Sequence, residues 1–363
     1  MPVRNGLYGD RVAVLFPNSK AGLGQDEVTI AKVLQQNGYA TGCVGKWHLG
    51  AFSPYLPTDH GFDTYFGIPY SNDMSPVRNK GAHARNFPPT PLILDGKQIE
   101  SEPDQGELTR RYTEKAVSFI KDHSKEPFFL YFAHTFPHIP LYTNARFEGT
   151  SKRGLYGDVV EEIDWSVGEV LKALRENGLD ENTFVIFTSD NGPHHEGGAD
   201  PDFFKSYGPF RGIKRDVYEG GIRIPMVAWC PGTIKAGAQS DHISAFWDVM
   251  PTLAELTGTV LPEQTDGISF LPTLLSKKNQ QAHDYLYWEF HELNGREALR
   301  SGKWKLIRQP IVGETILELY DLSNDIHEDT NLAEKYPDKV KELVSLMDNA
   351  RTESPYFNFG REK

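Results

Sequence analysis

Cysteine is nearly absent from these 363 residues, with Cys43 and Cys230 as the two examples. Each thiol lies inside an apolar run. Two such thiols make neither a disulfide framework nor a zinc site, and they read as buried free thiols. No apolar run approaches the roughly 20 residues that span a bilayer. Residues 1–20 lack a charged start followed by an apolar core, so no secretory leader is read there. Positive charge is also in deficit. Lys and Arg number 38 against 50 Asp and Glu, and the net charge of -12 argues against nonspecific binding of nucleic acid while leaving a local cationic pocket open. Low-complexity tracts and internal repeats are missing, no Ser or Cys stands in a nucleophile elbow, and no Walker-type phosphate loop occurs.

What is present is an ordinary globular composition, 39% hydrophobic and 24% charged, on a chain long enough for one large domain and a smaller appendage. From Asp26, "DEVTIAKVLQQNG" has an N-cap candidate, apolar residues at helical spacing and Gly38 as a stop, and it feeds a short strand over Tyr39–Val44. "EKAVSFIKD" precedes the apolar strand of "EPFFLYFAHTFPHIP". "VVEEIDWSVGEVLKALRENGLD" is a long amphipathic helix closed by Gly178 and followed by the strand of "TFVIFTSDNGP". A further apolar run, "IPMVAWCPG", precedes a helix around "WDVMPTLAELTG". Helices alternating with continuous apolar strands predict an α/β domain with a mixed, mainly parallel sheet between helices. After about residue 275, "HDYLYWEF", "ALRSGKWKLIRQ" and "LELYDLSND" read as antiparallel strands, and Pro337 opens a final helix to about Arg351. The expected division is a catalytic domain over 1–275 and an α+β subdomain over 276–363.

In parallel sheets, function collects past the carboxyl ends of strands. Three such ends carry the polar clusters "GKWHLG", "HTFPHIP" and "SDNGP", which argues for a single site. Lys46 and His48 stand two apart among glycines, so both side chains can face one pocket; a solvated surface turn is the competing reading. Asp190 and Asn191 place a carboxylate and an amide oxygen where hard cations are held, or they form a plain Asn-Gly turn. His138, between prolines, suits proton transfer or an anion contact, whereas His134 is read as structural. In "PFRGIKRDVYEGGIRIP", Lys214 is the cation aimed at a substrate anion. Arg211, Arg215 and Arg223 are read as a solvated face. Together these groups describe a metal-assisted site for an oxyanion such as a sulfate or phosphate ester, without a nucleophile.

These motifs resemble the sulfatase family nearly from end to end. "GYATGCVGKWHLG" is similar to the second sulfatase signature, "FTSDNGP" to the metal-binding turn and "IKRDVYEGGIRIP" to the lysine loop. "GFDTYFGIPYSND", "GLYGDVVEEIDWSVG", "WDVMPTLAEL" and "YDLSNDIHEDTNLA" follow the arylsulfatase A and N-acetylgalactosamine-6-sulfatase branch. The resemblance implies an alkaline-phosphatase-like fold, a formylglycine nucleophile made from cysteine, and Ca2+ holding sulfate oxygens. It implies that Asp190 and Asn191 are metal ligands and that Lys46 and Lys214 bind sulfate. His138 would bind sulfate and protonate the leaving alcohol, His48 would assist breakdown of the sulfated intermediate, and Ser71 in "YSND" would lie on the substrate side.

The departure is at the start. The family's Asp-Asp strand and its Cys-x-Pro-Ser-Arg motif are not found, and Cys43 and Cys230 do not match that motif. The expectation is therefore an N-terminally truncated sulfatase, inactive alone, with half a metal site and an uncovered strand edge. The expected substrate is a sulfated small molecule or glycan, and the family implies a periplasmic or extracellular setting. A phosphatase or phosphonate hydrolase of the same superfamily, or a noncatalytic protein binding sulfated glycans, are the alternatives.

Overall fold

The structure, a computed structural model, describes residues 5, 7, 14–77, 86–262 and 265–352. Its first described helix, α1 (Ile30–Gln35), starts where the Thr29 hydroxyl accepts the Lys32 N–H at 3.0 Å, three residues beyond the Asp26 that composition suggests. The cap decides the start because it satisfies one of the helix's orphan donors. Gly38, at φ +82°, then turns the chain into β1 (Ala40–Gly45).

β1 is the pivot of a five-stranded sheet completed by β2 (Thr64–Gly67), β3 (Pro91–Leu94), β4 (Lys97–Ser101) and β5 (Phe128–Ala133) in the order β4-β3-β2-β1-β5. β1 runs parallel to both β2 and β5, while β3 and β4 are joined antiparallel. Residues alternate between its two faces. Val44 beside Phe66 enters one core with Leu92, Leu108 and Tyr112; Cys43 beside Tyr65 enters the other with Ala31, Trp47 and Ile93. That double burial is why β1 reads as a continuous apolar run rather than an alternating one.

Two helices cover the first face. α2 (Leu108–Asp122) buries Leu108, Tyr112, Ala116 and Phe119, spaced at helical intervals. α3 (Gly154–Glu176) buries Val159, Ile163 and Ala173, and Thr113 of α2 meets Ser166 of α3 in a hydroxyl–hydroxyl bond of 2.6 Å.

β6 (Val185–Thr188) departs from the expected parallel sheet. It pairs antiparallel with β7 (Met226–Trp229) in a two-stranded sheet of its own, with the short helix α4 (Glu219–Ile222) just before β7. Hydrophobic runs do not encode strand direction, so sequence pattern alone places β6 in the main sheet. Both sheets rest on the same helices, since Phe128 and Leu130 of β5 and Val185 and Trp229 of the pair pack on Ile120, Ala173 and Leu174. Among the described residues β5 has one strand partner, β1, and β6 has one, β7. Their exposed apolar side chains include Tyr131, Phe187 and Val227.

Beyond α5 (Val249–Thr257), the strands β8 (Leu286–Phe290), β9 (Arg296–Ser301), β10 (Trp304–Gln309) and β11 (Ile316–Asp321) form an antiparallel sheet in the order β11-β10-β9-β8. One face packs Leu299, Leu306 and Leu319 against Leu343 and Met347 of α6 (Pro337–Ala350). The other packs Ala298, Ile307 and Tyr320 on Val217 and Tyr218, which belong to the segment that carries Lys214. The aromatics of "HDYLYWEF" are spent on this packing, with Tyr285 and Tyr287 toward α6 and Trp288 and Phe290 toward Val217. Both cysteines are buried free thiols. No helix among the described residues is long and apolar enough to cross a membrane.

Candidate functional site

The site forms where four strand ends and one loop meet. Past β1, Lys46 donates its backbone N–H to Ala133 at the end of β5 at 2.8 Å. Gly45 makes that approach possible, because a Cβ there would stand 1.8 Å from the Ala133 carbonyl oxygen, and its φ is +114°. Trp47 and His48 then donate to the carbonyls of Ile68 and Pro69 at 3.1 Å each, so the segments after β1 and β2 run together. His48 itself sits at φ +62°, an uncommon left-handed conformation for a residue with a side chain.

The segment after β5 closes on these two. Asn72 donates to the Pro140 carbonyl at 3.1 Å, and the Ser71 hydroxyl lies 3.4 Å from His138 Nδ1. That nitrogen is 2.7 Å from the Ile139 carbonyl oxygen. A carbonyl can only accept, so Nδ1 carries the proton and Nε2 keeps the free lone pair. His138 Nδ1 consequently cannot take a proton from Ser71, and the pair is not an activated serine nucleophile. His48 is fixed in the opposite tautomer, its Nε2 lying 3.0 Å from the Leu15 carbonyl oxygen.

The other half of the site is built from the turn after β6 and the lysine loop. Lys214 donates its N–H to Pro193 at 2.7 Å, and Gly192 donates to Gly221 at 3.0 Å. A Cβ on Gly192 would fall 1.9 Å from the Gly220 carbonyl oxygen, so the Asp190-Asn191 turn and α4 touch backbone to backbone.

The two halves also act on one another's charges. Lys46 is depressed first by burial, with Asp190 and Asp73 raising it and Lys214 lowering it further. Lys214 is depressed by burial and by Arg215 against the pull of Asp190, Glu196 and Asp73. Burial and Lys46 push His48 down to about 4. Burial, Lys46 and Lys214 do the same to His138, also to about 4. Two desolvated ammonium groups thus face two neutral imidazoles and two carboxylates, Asp73 and Asp190. The two ammonium groups suit the oxygens of an anion, and Asp73 and Asp190 offset part of their charge.

The sequence-predicted residues Lys46, His48, Ser71, His138, Asp190, Asn191 and Lys214 therefore stand on the segments that meet here, and His134 lies buried against the ring of Phe132 at 4.2 Å between centroids. Asp73 was missed. It stands two residues beyond Ser71 past β2, so the rule that polar clusters follow strand ends already covered it. Arg211, read as part of a solvated face, is structural instead, while Arg215 and Arg223 are exposed. The Arg211 guanidinium donates to the Glu328 carbonyl at 2.7 Å and stacks 4.1 Å from the Tyr218 ring centre, and Arg223 pairs with Glu219 at 3.5 Å.

Asp190 and Asn191 offer two oxygen ligands, well short of the six to eight that Ca2+ takes. Among the described residues no group of three or more His, Cys, Asp or Glu is arranged to hold a metal ion. The described residues are thus insufficient for a metal centre. Neither thiol can serve as a nucleophile here. Burial pushes Cys43 far above the usual thiol range and raises Cys230 as well.

Comparison with known proteins shows the family. The family description "Sulfatase" matches residues 4–259, and "N-sulphoglucosamine sulphohydrolase, C-terminal" matches residues 208–353. Arylsulfatase A of Bos taurus is 35% identical over 387 aligned positions, covering 96% of this chain and 74% of that protein. N-acetylgalactosamine-6-sulfatase of Mus musculus is 38% identical over 297 positions, covering 76% of this chain and 55% of that protein. For arylsulfatase A of Homo sapiens the figures are 36% identity and 62% of that protein. The chain spans between about half and three-quarters of these relatives. Among solved structures, a protein from work on glycosaminoglycan metabolism by Bacteroides thetaiotaomicron superposes with a TM-score of 0.79 at 30% identity, covering 94% of this chain and 85% of that one. Ps i-CgsB in complex with k-i-k-neocarrahexaose gives 0.80 at 27% identity, covering 96% and 80%.

Proposed function

Because this chain belongs to the sulfatase family, we propose that it carries the oxyanion-binding face of a sulfuric ester hydrolase acting on an aryl or carbohydrate sulfate. The observation that carries the reading is that the strand ends and the loop bearing Lys46, His48, His138 and Lys214 come together, with Asp73 and Asp190 acting on the two ammonium groups. The two ammonium groups hold sulfate oxygens and offset the charge that grows on them in the transition state. His138, with Nδ1–H spent on Ile139, presents Nε2 toward the leaving oxygen and delivers a proton there once the bound anion has raised its affinity for one. His48, with Nε2–H spent on Leu15, offers Nδ1 as a proton acceptor for breakdown of the sulfated intermediate. Ser71 lies on the substrate side of His138.

The nucleophile is proposed to be a formylglycine on a Cys-x-Pro-Ser-Arg segment that this sequence does not contain, and the remaining Ca2+ ligands to accompany it. The single strand partners of β5 and β6 and the exposed Tyr131, Phe187 and Val227 support a further strand in that region. The glycosaminoglycan and carrageenan-oligosaccharide contexts of the solved relatives support a sulfated glycan as substrate. The proposed setting is periplasmic or extracellular, where such polymers occur.

Turnover tests this. The 363-residue chain alone should release no sulfate from 4-nitrocatechol sulfate. The polypeptide read in frame from upstream of the Met1 codon should encode Cys-x-Pro-Ser-Arg and release it. Steady release by the shorter chain, or an in-frame stop just upstream, contradicts the proposal; the second result favours a noncatalytic glycan-binding protein.

A further inference from the structure

A second cavity lies away from the lysine pair, between α2, α3 and the segment around Asn144. Its volume is about 300 Å3, and its wall includes Arg146, Phe147, Glu162 and Trp165. The Arg146 guanidinium stands 5.2 Å from the ring centres of both Phe147 and Trp165, held by two aromatic faces. No described carboxylate forms an ion pair with it, so its N–H groups remain available to an anion.

Glu162 supplies the independent observation. The residue is 1% exposed, and its Oε1 has no hydrogen-bond partner among the described residues. Its Oε2 accepts the Thr143 hydroxyl at 2.8 Å and the Asn144 N–H at 2.9 Å. An unpaired buried carboxyl oxygen is costly, and a wall position in a cavity lets a ligand hydroxyl satisfy it. Burial pushes the Glu162 carboxyl up, against the Asn144 N–H and the Thr143 hydroxyl that favour its charged form. Of the other polar side chains on the wall, Glu169 has no ion pair or hydrogen bond among the described residues, and the rest are engaged. Arg110 is paired with Glu107 and Glu114, and Asn144 donates to Glu107 at 2.6 Å.

An anion-binding guanidinium, a hydroxyl-binding carboxyl and apolar ring faces, in a space that suits one pyranose, form a built recognition set. We infer that this cavity is a second saccharide site that takes one acidic ring, sulfated or uronic, of a glycan chain. The ligand's class rests on the reading of the chain as acting on sulfated glycans; the cavity's chemistry does not. The site is also joined to the catalytic face. Glu162 holds Thr143 and Asn144 on the same segment whose start is His138 and whose Pro140 carbonyl is held by Asn72.

The experiment is a fluorescence and calorimetric titration of the 363-residue chain with a chondroitin 6-sulfate hexasaccharide. Arg146 is exposed, so Arg146→Ala should fold, and it should weaken binding at least tenfold. Trp165→Phe should remove most of the fluorescence change, and the near-isosteric Glu162→Gln should weaken binding without altering the melting temperature comparably. In Lys46→Ala/Lys214→Ala, which removes the sulfate site proposed above, the hexasaccharide binding that remains should still fall at least tenfold when Arg146→Ala is added. Wild-type binding undiminished in Arg146→Ala, or no wild-type binding at all, overturns the inference and leaves a water-filled cavity. Inorganic sulfate, titrated in parallel, should be indifferent to Arg146→Ala. Its failure to bind the wild type would count against the proposed function and leave the cavity result standing.

Discussion

The Lys305 ammonium of β10 lies 2.9 Å from Oε1 of Glu219, the first residue of α4, with both side chains buried. Glu328 stands at 2.9 Å on the same ammonium and accepts the Glu219 N–H at 2.6 Å, while Arg300 reaches Glu219 at 3.2 Å. Burial pushes Glu219 up, but Lys305 and Arg300 pull it below the ordinary carboxylate range. The antiparallel sheet thereby fixes the start of α4, where Gly220 donates its N–H to the Arg211 carbonyl and Gly221 accepts the Gly192 N–H. An appendage in sequence is thus a brace for the loop that carries Lys214.

Breaking that brace should be severe. Lys305→Met leaves two buried carboxyls without their cation, a loss on the order of 3–5 kcal/mol. Urea denaturation measures it. Where the variant still folds, its sulfate affinity should fall as well, because Lys214 loses its fixed backbone; an unchanged midpoint would show the pair to be dispensable.

Gly192→Ala tests the contact between the Asp190-Asn191 turn and α4. Its Cβ would meet the Gly220 carbonyl oxygen at 1.9 Å, so backbone must move. The expected cost is about 2–4 kcal/mol, comparable to other substitutions that force strain or overpacking. The midpoint of thermal unfolding reads the cost, and a stable variant that binds sulfate normally would refute the close approach.

The histidines make acid stability a further test. In the unfolded chain they titrate near 6.5, but in the fold His48, His134 and His138 are each held down to about 4. Between these values the unfolded chain binds protons that the folded chain refuses, so stability falls as pH drops from about 6.5 toward 4. Sulfate should oppose the loss and bind more tightly across that window, since the bound dianion favours protonated imidazole. Denaturation midpoints with and without sulfate check both signs.

Lys46→Ala should raise the His48 and His138 pKa values above about 4, because Lys46 lowers each of them. Histidine-selective NMR titration reads this directly. Unmoved values would place Lys46 too far from both rings to share a ligand with them.

Much of the site was legible in sequence for one physical reason. Continuous apolar runs read as strands whichever face they bury, and the polar clusters just past their carboxyl ends are where the backbone surfaces; Lys46, His138 and Asp190 follow from that rule. Asp73 obeyed it too and was passed over beside Ser71. Strand direction was not legible, so β6 was placed in the parallel sheet although it pairs antiparallel with β7. Nor were Arg211 and Lys305, whose partners lie far along the chain.

The central claim is that Lys46 and Lys214 form one sulfate-binding pocket, and calorimetric titration of inorganic sulfate into the 363-residue chain tests it most directly. The account predicts saturable binding at one site, lost in Lys46→Ala/Lys214→Ala and weakened by each single change. No binding by the wild type, or equal binding by the double variant, would contradict it.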